Sequence, residues 1–257
     1  MFDSFETSQI DQMLFYPRPA RTGTSRVKGA TDGTIMSGDA AELGYRLYPR
    51  AGGGAVILFF HGNGEVAPDY DDIAPLYWGA GASLLVVDYR GYGWSSGRPG
   101  IERLLPDAES AFAALPGILE AAGLGDGPHF VMGRSLGSAP AIHLASDHPD
   151  AWHGLIVESG FARVIPLLAR LGFPLAGGAR PDPIGNLDKV AGLQLPLLVL
   201  HGERDTLIPV SEGQALYDVS PARVKTIRRF AGAGHNDLLT YAEEYFEAVH
   251  SFLAAAG

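Results

Sequence analysis

Residues 128–145, PHFVMGRSLGSAPAIHLA, constrain the fold of this chain more than any other stretch. A short apolar run at 129–132 leads into the pentapeptide GRSLG at 133–137, and small, helix-compatible residues follow directly. A serine between two glycines at a strand-to-helix corner is typical of a nucleophile elbow. Such a turn strains the serine backbone, and side chains at the two glycine positions would clash with neighbouring strands. The corner also places the Ser135 hydroxyl at a helix N-terminus, whose free N–H groups can stabilise a developing oxyanion.

The same five-residue pattern occurs a second time, as GWSSG at 93–97. Its serine, Ser95, lies in a glycine-rich run that no strand precedes and no helix follows. Ser135 has both a strand before it and a helix after it. We therefore interpret Ser135 as the elbow serine and Ser95 as a loop serine.

The spacing of apolar runs predicts an α/β fold built on a mostly parallel, doubly wound sheet of about eight strands. Continuous apolar runs, typical of strands buried on both faces of a parallel sheet, stand at 55–60, 83–88, 129–132, 154–158 and 196–201, with a last strand expected at 224–227. Helices are expected between them at 69–80, 102–115 and 239–253. Residues 1–50 should contribute an arm without clear periodicity at 1–32, followed by an antiparallel pair of strands at 34–36 and 43–49.

The strand–helix alternation lapses at residues 159–193, where prolines and glycines interrupt many apolar residues. We interpret this stretch as a cap insertion of one or two short helices over the carboxyl edge of the sheet, with an ordinary long crossover as the alternative. At 257 residues and 46% hydrophobic content, the whole chain, residues 1–257, fits one large domain.

Charge and cysteine content exclude several classes of function. The formal net charge is −10 and no basic block occurs, which argues against nucleic-acid and anionic-membrane partners. The chain has no cysteine, so it has no disulfide, thiol nucleophile or thiolate metal site. No cluster with metal-ligand spacing or cofactor motif is evident, and we expect neither a metal nor a cofactor. The acidic N-terminal residues do not resemble a secretory signal, and no apolar run approaches the ~20 residues of a membrane span, so a cytoplasmic location is expected.

Three residue types of hydrolytic chemistry follow apolar runs in the order serine, acid, histidine. They are Ser135, Asp205 and His235, and ligands bind outside the carboxyl ends of strands in sheets of this kind. His235 would accept the Ser135 proton, and Asp205 would orient the imidazole and stabilise its charged form. Glu158 also follows a strand and stays open as an alternative acid.

A tetrahedral oxyanion needs two N–H donors. One is expected from Leu136, directly after the nucleophile, and the other from Asn63 in the loop after the first long strand. A substrate pocket is predicted around this loop and the cap, lined by Gly62, Gly64, Trp94, Phe161 and Phe173, although core packing is an equal alternative for the aromatic residues.

Five motifs in one order carry a resemblance to a known family: HGNGE at 61–65, DYRGYG at 88–93 with Ser96-Gly97, GRSLG at 133–137, His201-Gly202 with Asp205 and Pro209, and GHND at 234–237. From about residue 55 to its end the chain resembles the α/β-hydrolase superfamily, and within it is most similar to the Bem46-like serine hydrolases. The resemblance implies the α/β-hydrolase fold and a carboxylic-ester hydrolase or thioesterase with the triad Ser135, Asp205 and His235.

The resulting hypothesis is a metal-free serine esterase that acts on small to medium acyl esters through an acyl-enzyme. An acyl-thioesterase or serine peptidase on the same site is the alternative, and a non-catalytic ligand-binding protein of the same fold is a more distant one. The partner is expected to be a small-molecule ester. The sequence does not specify the acyl length, the alcohol or the oligomeric state.

Overall fold

The computed structural model of the protein describes residues 4–174 and 182–257. The described residues form one eight-stranded sheet with the order β1-β2-β4-β3-β5-β6-β7-β8. Its strands are β1 (Thr31–Met36), β2 (Glu42–Tyr48), β3 (Ala55–Phe60), β4 (Ala82–Val87), β5 (His129–Arg134), β6 (Gly154–Glu158), β7 (Leu197–Gly202) and β8 (Lys225–Phe230). Strand β2 pairs antiparallel with β1 and with β4, and all other pairs are parallel. The predicted mostly parallel sheet and its antiparallel leading pair are confirmed.

Helices cover both faces of this sheet. They are α1 (Ser4–Leu14), α2 (Ala74–Ala80), α3 (Ile101–Ala121), α4 (Ser138–Asp147), α5 (Val164–Arg170), α6 (Asn186–Ala191), α7 (Val210–Val219) and α8 (Ala242–Ala256). Short 3-10 turns occur at Ala67–Tyr70, Ser135–Gly137, Pro149–Ala151 and Leu238–Tyr241.

Strand β3, sequence AVILFF, shows how the sheet divides the core into two layers. All six of its residues are buried. Because successive strand residues point to opposite faces, Leu58 and Phe60 pack with residues of α3 and α4, whereas Ile57 and Phe59 pack with residues of α2 and α8. Burial on both faces explains the continuous apolar runs in the sequence.

The parallel register brings the ends of the central strands together. Phe60 of β3 lies opposite Gly133 of β5, and Arg134 of β5 lies opposite Glu158 of β6. The loops that leave β3, β5 and β6 therefore start at one edge of the sheet, which is the edge where a site is expected.

Residues 1–32, expected as an arm without clear periodicity, contain helix α1 in their first part. Ile10 and Leu14, one helical turn apart, are buried in the core. Asp11 of the same helix accepts the N–H of Ile101, the first residue of α3, at 2.8 Å. Gly100 before it has no side chain to cap α3, so Asp11 supplies the missing acceptor. Ile10, Met13 and Leu14 have helical spacing, but this pattern covers little more than one turn and is too short to predict the helix.

Several helix boundaries also differ from the prediction. Helix α3 continues past its expected end at Leu115 to Ala121. Pro116 lies on its exposed face, and Leu119, one turn later, is fully buried. Residues 69–80 divide into a 3-10 turn and the short α2. Helix α7 follows the Asp205 loop and was not predicted.

Residues 159–193, the predicted cap insertion, contain the short helices α5 and α6. Residues 175–181 of this stretch lie outside the described residues. The assignment of 159–193 as a cap, and of 1–257 as a single domain, stay predictions.

Buried phenols make the stability of this fold sensitive to alkali. Burial raises the pKa of six tyrosines above the ordinary value: Tyr48, Tyr70, Tyr77, Tyr89, Tyr92 and Tyr245. A raised acid pKa means that the folded state keeps protons that the unfolded state loses above about pH 10, so the free energy of unfolding should fall as the pH rises through that value. The slope is near zero at about pH 8 and approaches a limit of about 1.4 kcal/mol per pH unit for each such tyrosine only well above about pH 10. Urea unfolding between about pH 8 and 11, followed by tyrosinate absorbance, measures it. A free energy of unfolding that stays constant between about pH 8 and 11 would contradict the raised pKa values of these tyrosines.

Candidate active site

The turn at the end of β5 has the backbone geometry of an elbow. Ser135 has φ +52°, a left-handed conformation that is rare for a residue with a side chain. A Cβ on Gly137 would lie 2.0 Å from the carbonyl oxygen of Phe60 in β3. A Cβ on Gly133 would lie 2.0 Å from the carbonyl oxygen of Gly137. Both glycines are therefore required, Gly137 by the neighbouring strand as predicted and Gly133 by the turn that follows it.

His235 joins the elbow to the loop after β7. Its Nε2 lies 2.9 Å from Ser135 Oγ, and its Nδ1 lies 2.7 Å from Asp205 Oδ2. One tautomer satisfies both contacts, with Nδ1–H donating to the carboxylate and Nε2 accepting from the serine hydroxyl. The structure thus brings together the three residues that the sequence analysis placed on separate loops, in the arrangement of a nucleophile, a base and an orienting acid.

The Asp205 carboxylate is held in its ionised form. Burial raises its pKa, but hydrogen bonds from His201 and His235 outweigh burial and hold the pKa below its ordinary value. The N–H groups of Leu207 and Ile208 donate to Oδ1 at 3.0 and 2.8 Å. His201, whose ring is fully buried, has Nε2 at 2.8 Å from Ile208 O and 3.5 Å from Asp205 Oδ2. This histidine supports the acid loop, a role that the sequence analysis did not assign to it.

Glu158, the alternative acid, has other partners. Its Oε2 accepts the Tyr245 hydroxyl at 2.7 Å, and its Oε1 accepts Arg134 Nε at 3.2 Å. Burial raises the pKa of Glu158 above the ordinary value. The structure therefore places Asp205, and not Glu158, against the His235 ring.

The two expected oxyanion donors lie beside the elbow. Leu136 is the second residue of the 3-10 turn, so its N–H has no acceptor within that turn. The Asn63 side chain is held by its Oδ1, which accepts the Tyr92 hydroxyl at 2.6 Å and the Tyr16 N–H at 2.9 Å. Within the described residues, the backbone N–H of Asn63 donates no hydrogen bond. Among the described residues, neither N–H group has a hydrogen-bond acceptor, and their role as oxyanion donors stays a prediction.

Residues 15–20, here named the N-terminal strap, lie across the loop that carries Asn63. Besides the Tyr16 contact, Arg18 Nε donates to Gly64 O at 3.2 Å, and Arg18 pairs with Asp69. The strap is fixed on its other side by Gly93, whose N–H donates to Arg18 O at 2.9 Å. The strap carries no local pattern that points to Asn63, so this contribution could not be predicted from the sequence.

The predicted pocket glycines lie in the Asn63 loop. The Gly62 N–H donates to Glu65 Oε2 at 2.7 Å, and a Cβ on Gly62 would lie 2.3 Å from Arg134 Nη1. The Gly64 carbonyl accepts a hydrogen bond from Arg18 Nε in the N-terminal strap.

Trp94, predicted to line the pocket, instead packs on the antiparallel edge of the sheet. Its indole N–H donates to Gly33 O of β1 at 3.0 Å, and the Arg46 guanidinium lies 5.6 Å from its ring centroid. Strand β1 is four strand positions from β5, a distance of about 19 Å. Sequence alone could not show that the indole turns toward this edge.

The other two predicted pocket aromatics, Phe161 and Phe173, are buried in the core. Phe161 lies with Leu167 and Ile208 around a narrow gap between α5 and the Asp205 loop. Its carbonyl accepts the Asn186 side chain at 2.8 Å. A role for either ring in binding an acyl group stays a prediction.

Ser95, in the second GxSxG match, is used as a structural hydrogen-bonding group. Its hydroxyl accepts the Gly44 N–H at 2.7 Å and donates to Asp88 O at 3.0 Å. These bonds tie the Gly91–Gly97 loop to β2 and leave no base beside the hydroxyl.

Among the described residues, one group could offer three ligands to a metal ion: Glu109, His143 and Asp147. The Lys189 ammonium lies 3.4 Å from His143 Nδ1, and this positive charge opposes a cation. The His143 Nε2 is already 2.8 Å from Glu109. The group bridges α3 and α4, beside Lys189 of α6, and includes none of Ser135, Asp205 and His235.

Comparisons with known proteins agree with this architecture. A family described as "Serine aminopeptidase, S33" matches residues 53–180. Alpha/beta hydrolase domain-containing protein 17C of Mus musculus is 33% identical over 205 residues, which are 77% of this chain and 59% of that protein. The human protein of the same name is also 33% identical, with 57% of its length covered. The chain thus spans less than two thirds of these relatives.

Solved structures show the same fold at low sequence identity. The esterase Pf2001 of Pyrococcus furiosus superposes with a TM-score of 0.75 at 20% identity, over 95% of this chain and 98% of that one. A monoacylglycerol lipase of Paleococcus ferrophilus gives a TM-score of 0.62 at 23% identity, over 84% of this chain and 100% of that one. Across residues 4–174 and 182–257, no helix combines the length and apolar character needed to cross a bilayer. The sheet order, the strand–turn–helix elbow and these likenesses together show that the chain has the α/β-hydrolase fold and is similar to proteins of that superfamily.

Proposed function

We propose that the protein is a serine hydrolase that cleaves carboxylic esters of small to medium acyl chains through an acyl-enzyme. The observation that carries this proposal is the pair of contacts made by His235, at 2.9 Å to Ser135 Oγ and 2.7 Å to Asp205 Oδ2. The structural neighbours named as an esterase and a lipase support an ester as the substrate class.

In the first half-reaction, Ser135 Oγ attacks the ester carbonyl carbon while His235 Nε2 takes the hydroxyl proton. The carbonyl π-electrons move to oxygen, and the resulting oxyanion accepts hydrogen bonds from the N–H groups of Leu136 and Asn63. His235 then returns the proton to the departing alcohol as the carbon–oxygen bond breaks. This step leaves an ester between the acyl group and Ser135.

In the second half-reaction, water takes the place of the alcohol. His235 accepts a proton from the water as it attacks, the same N–H groups bind the second oxyanion, and Ser135 leaves with the proton returned by His235. The ionised Asp205 stabilises the imidazolium in both halves. The products are a carboxylic acid and the free enzyme.

A panel of p-nitrophenyl esters from acetate to palmitate, run beside acyl thioesters and peptide p-nitroanilides, tests the substrate class. We expect the highest kcat/KM for an ester in the shorter half of the series. A preference for thioesters or for anilides would replace the ester proposal with a thioesterase or a peptidase. Absence of turnover on all three, together with no labelling by a fluorophosphonate, would indicate a non-catalytic binding protein.

A further inference from the structure

We propose that Arg134 is a positioning residue for two loops beside the elbow. These are the loop that carries Asn63, here named the oxyanion loop, and the loop that carries His235, here named the His235 loop. This inference rests on the proposed function of the Ser135 site. Arg134 is the last residue of β5 and directly precedes the serine. A residue type inside a GxSxG pattern does not show where its side chain turns, so the sequence does not specify the partners of Arg134.

One guanidinium reaches three separate loops. Its Nη1 pairs with Glu65 in the loop after β3, and its Nε lies 3.2 Å from Glu158 at the end of β6. Its Nη2 donates to the carbonyl of His235 at 3.1 Å and to Asn236 Oδ1 at 2.9 Å. The side chain is 12% exposed, so these bonds form largely away from water.

Arg134 also positions the oxyanion loop, because its partner Glu65 binds the backbone of that loop. Glu65 Oε2 accepts the N–H of Gly62 and the hydroxyl of Tyr70, both at 2.7 Å. The Glu65 N–H also donates to the Gly62 carbonyl at 3.3 Å, and this carbonyl belongs to the same peptide as the Asn63 N–H. Glu65 therefore helps to set the direction of the Asn63 N–H. The close approach of the guanidinium to Gly62 leaves no room for a side chain there.

The two Nη2 contacts position the His235 loop, which carries the proposed base. The His235 ring must lie between Ser135 and Asp205, and its own backbone carbonyl is what Arg134 binds. Arginine suits this position because its planar fork donates in several fixed directions at once. A lysine would keep the charge but would not span all four partners.

Arg90 provides a matched comparison within the chain. Its side chain is 9% exposed and also pairs with two carboxylates, Asp39 and Asp107. It contacts none of the loops that carry Ser135, Asp205 or His235. A loss that came only from a weakened buried ion pair should therefore appear equally in both arginines.

The test compares Arg134→Lys with Arg90→Lys, using kcat and KM for a short p-nitrophenyl ester and the rate of fluorophosphonate labelling, all corrected for folded fraction. For Arg134→Lys we expect kcat and the labelling rate to fall by about 10- to 100-fold, because small displacements of reacting groups are costly, with KM changed less than about threefold. For Arg90→Lys we expect kcat within about twofold of wild type.

Equal kcat values in the two variants would overturn the proposal. If Arg134→Lys does not fold, Asn236→Ala is the second variant, because it removes the exposed hydrogen bond between Arg134 Nη2 and Asn236 Oδ1. We expect it to lower kcat by about threefold or more at an unchanged melting temperature. An unchanged kcat in that variant would also overturn it. A wild-type protein that is neither labelled nor active would refute the proposed function itself, which separates that failure from a failure of the role of Arg134.

Discussion

Replacement of Ser135 by alanine is expected to lower kcat for a p-nitrophenyl ester by at least about 10,000-fold while the protein stays folded. The substitution removes only the hydroxyl, the atom that His235 Nε2 faces at 2.9 Å. Oxyanion donors and substrate binding would remain, which accounts for any residual rate. Ester hydrolysis gives the rate, and the intact mass after fluorophosphonate treatment shows whether one label is lost.

Ser95→Ala is the matched control for this experiment. It removes a hydroxyl from the second GxSxG sequence and leaves the Gly44 N–H without its acceptor. We expect unchanged kcat and a loss of about 1–3 kcal/mol in the free energy of unfolding, the cost of a buried unsatisfied donor. Turnover that persists in Ser135→Ala, or labelling at Ser95, would refute the assignment of the nucleophile.

The second large effect is expected for Asp205→Asn, with kcat lowered by about 1,000- to 10,000-fold. An amide in place of the carboxylate can donate to His235 Nδ1, which favours the tautomer with the proton on Nε2. The Nε2 atom would then present a proton to Ser135 Oγ and could not accept one. The rate of acylation, measured by the p-nitrophenol burst or by fluorophosphonate labelling, reports this loss directly.

Glu158→Gln separates the two candidate acids. Glu158 contacts Tyr245 and Arg134 and makes no hydrogen bond with His235. We expect kcat to fall less than about tenfold in this variant, through a weakened hold on Arg134. A larger loss of kcat in Glu158→Gln than in Asp205→Asn would reverse the assignment of the acid.

Most of the parallel sheet could be predicted because its signals are local. A continuous apolar run such as AVILFF at 55–60 predicts a strand buried on both faces, and this prediction requires no information about distant residues. The positions of Ser135, Asp205 and His235 could also be predicted, because they follow strands β5, β7 and β8 and parallel strands end at one edge of the sheet. Strand β8 was underestimated in length because its residues Arg228 and Arg229 are exposed.

The parts that sequence could not predict depend on long-range side-chain contacts. Arg134 reaches His235 and Asn236 across about a hundred positions of the chain, with separations of 101 and 102 residues. The Tyr16 contact with Asn63 spans 47 residues. Neither contact leaves a periodicity or a motif in the intervening sequence, and the same holds for the position of Trp94.

The N-terminal strap supports this site although it precedes the first strand of the sheet. A chain trimmed to begin just after residue 20 would keep every strand of the sheet and the elbow, together with Asp205 and His235. It would lose the Tyr16 N–H that holds the Asn63 side chain and the Arg18 contact with Gly64. The Asn63 loop is therefore held by residues that precede the first strand, and a definition of the domain by its sheet alone would leave them out.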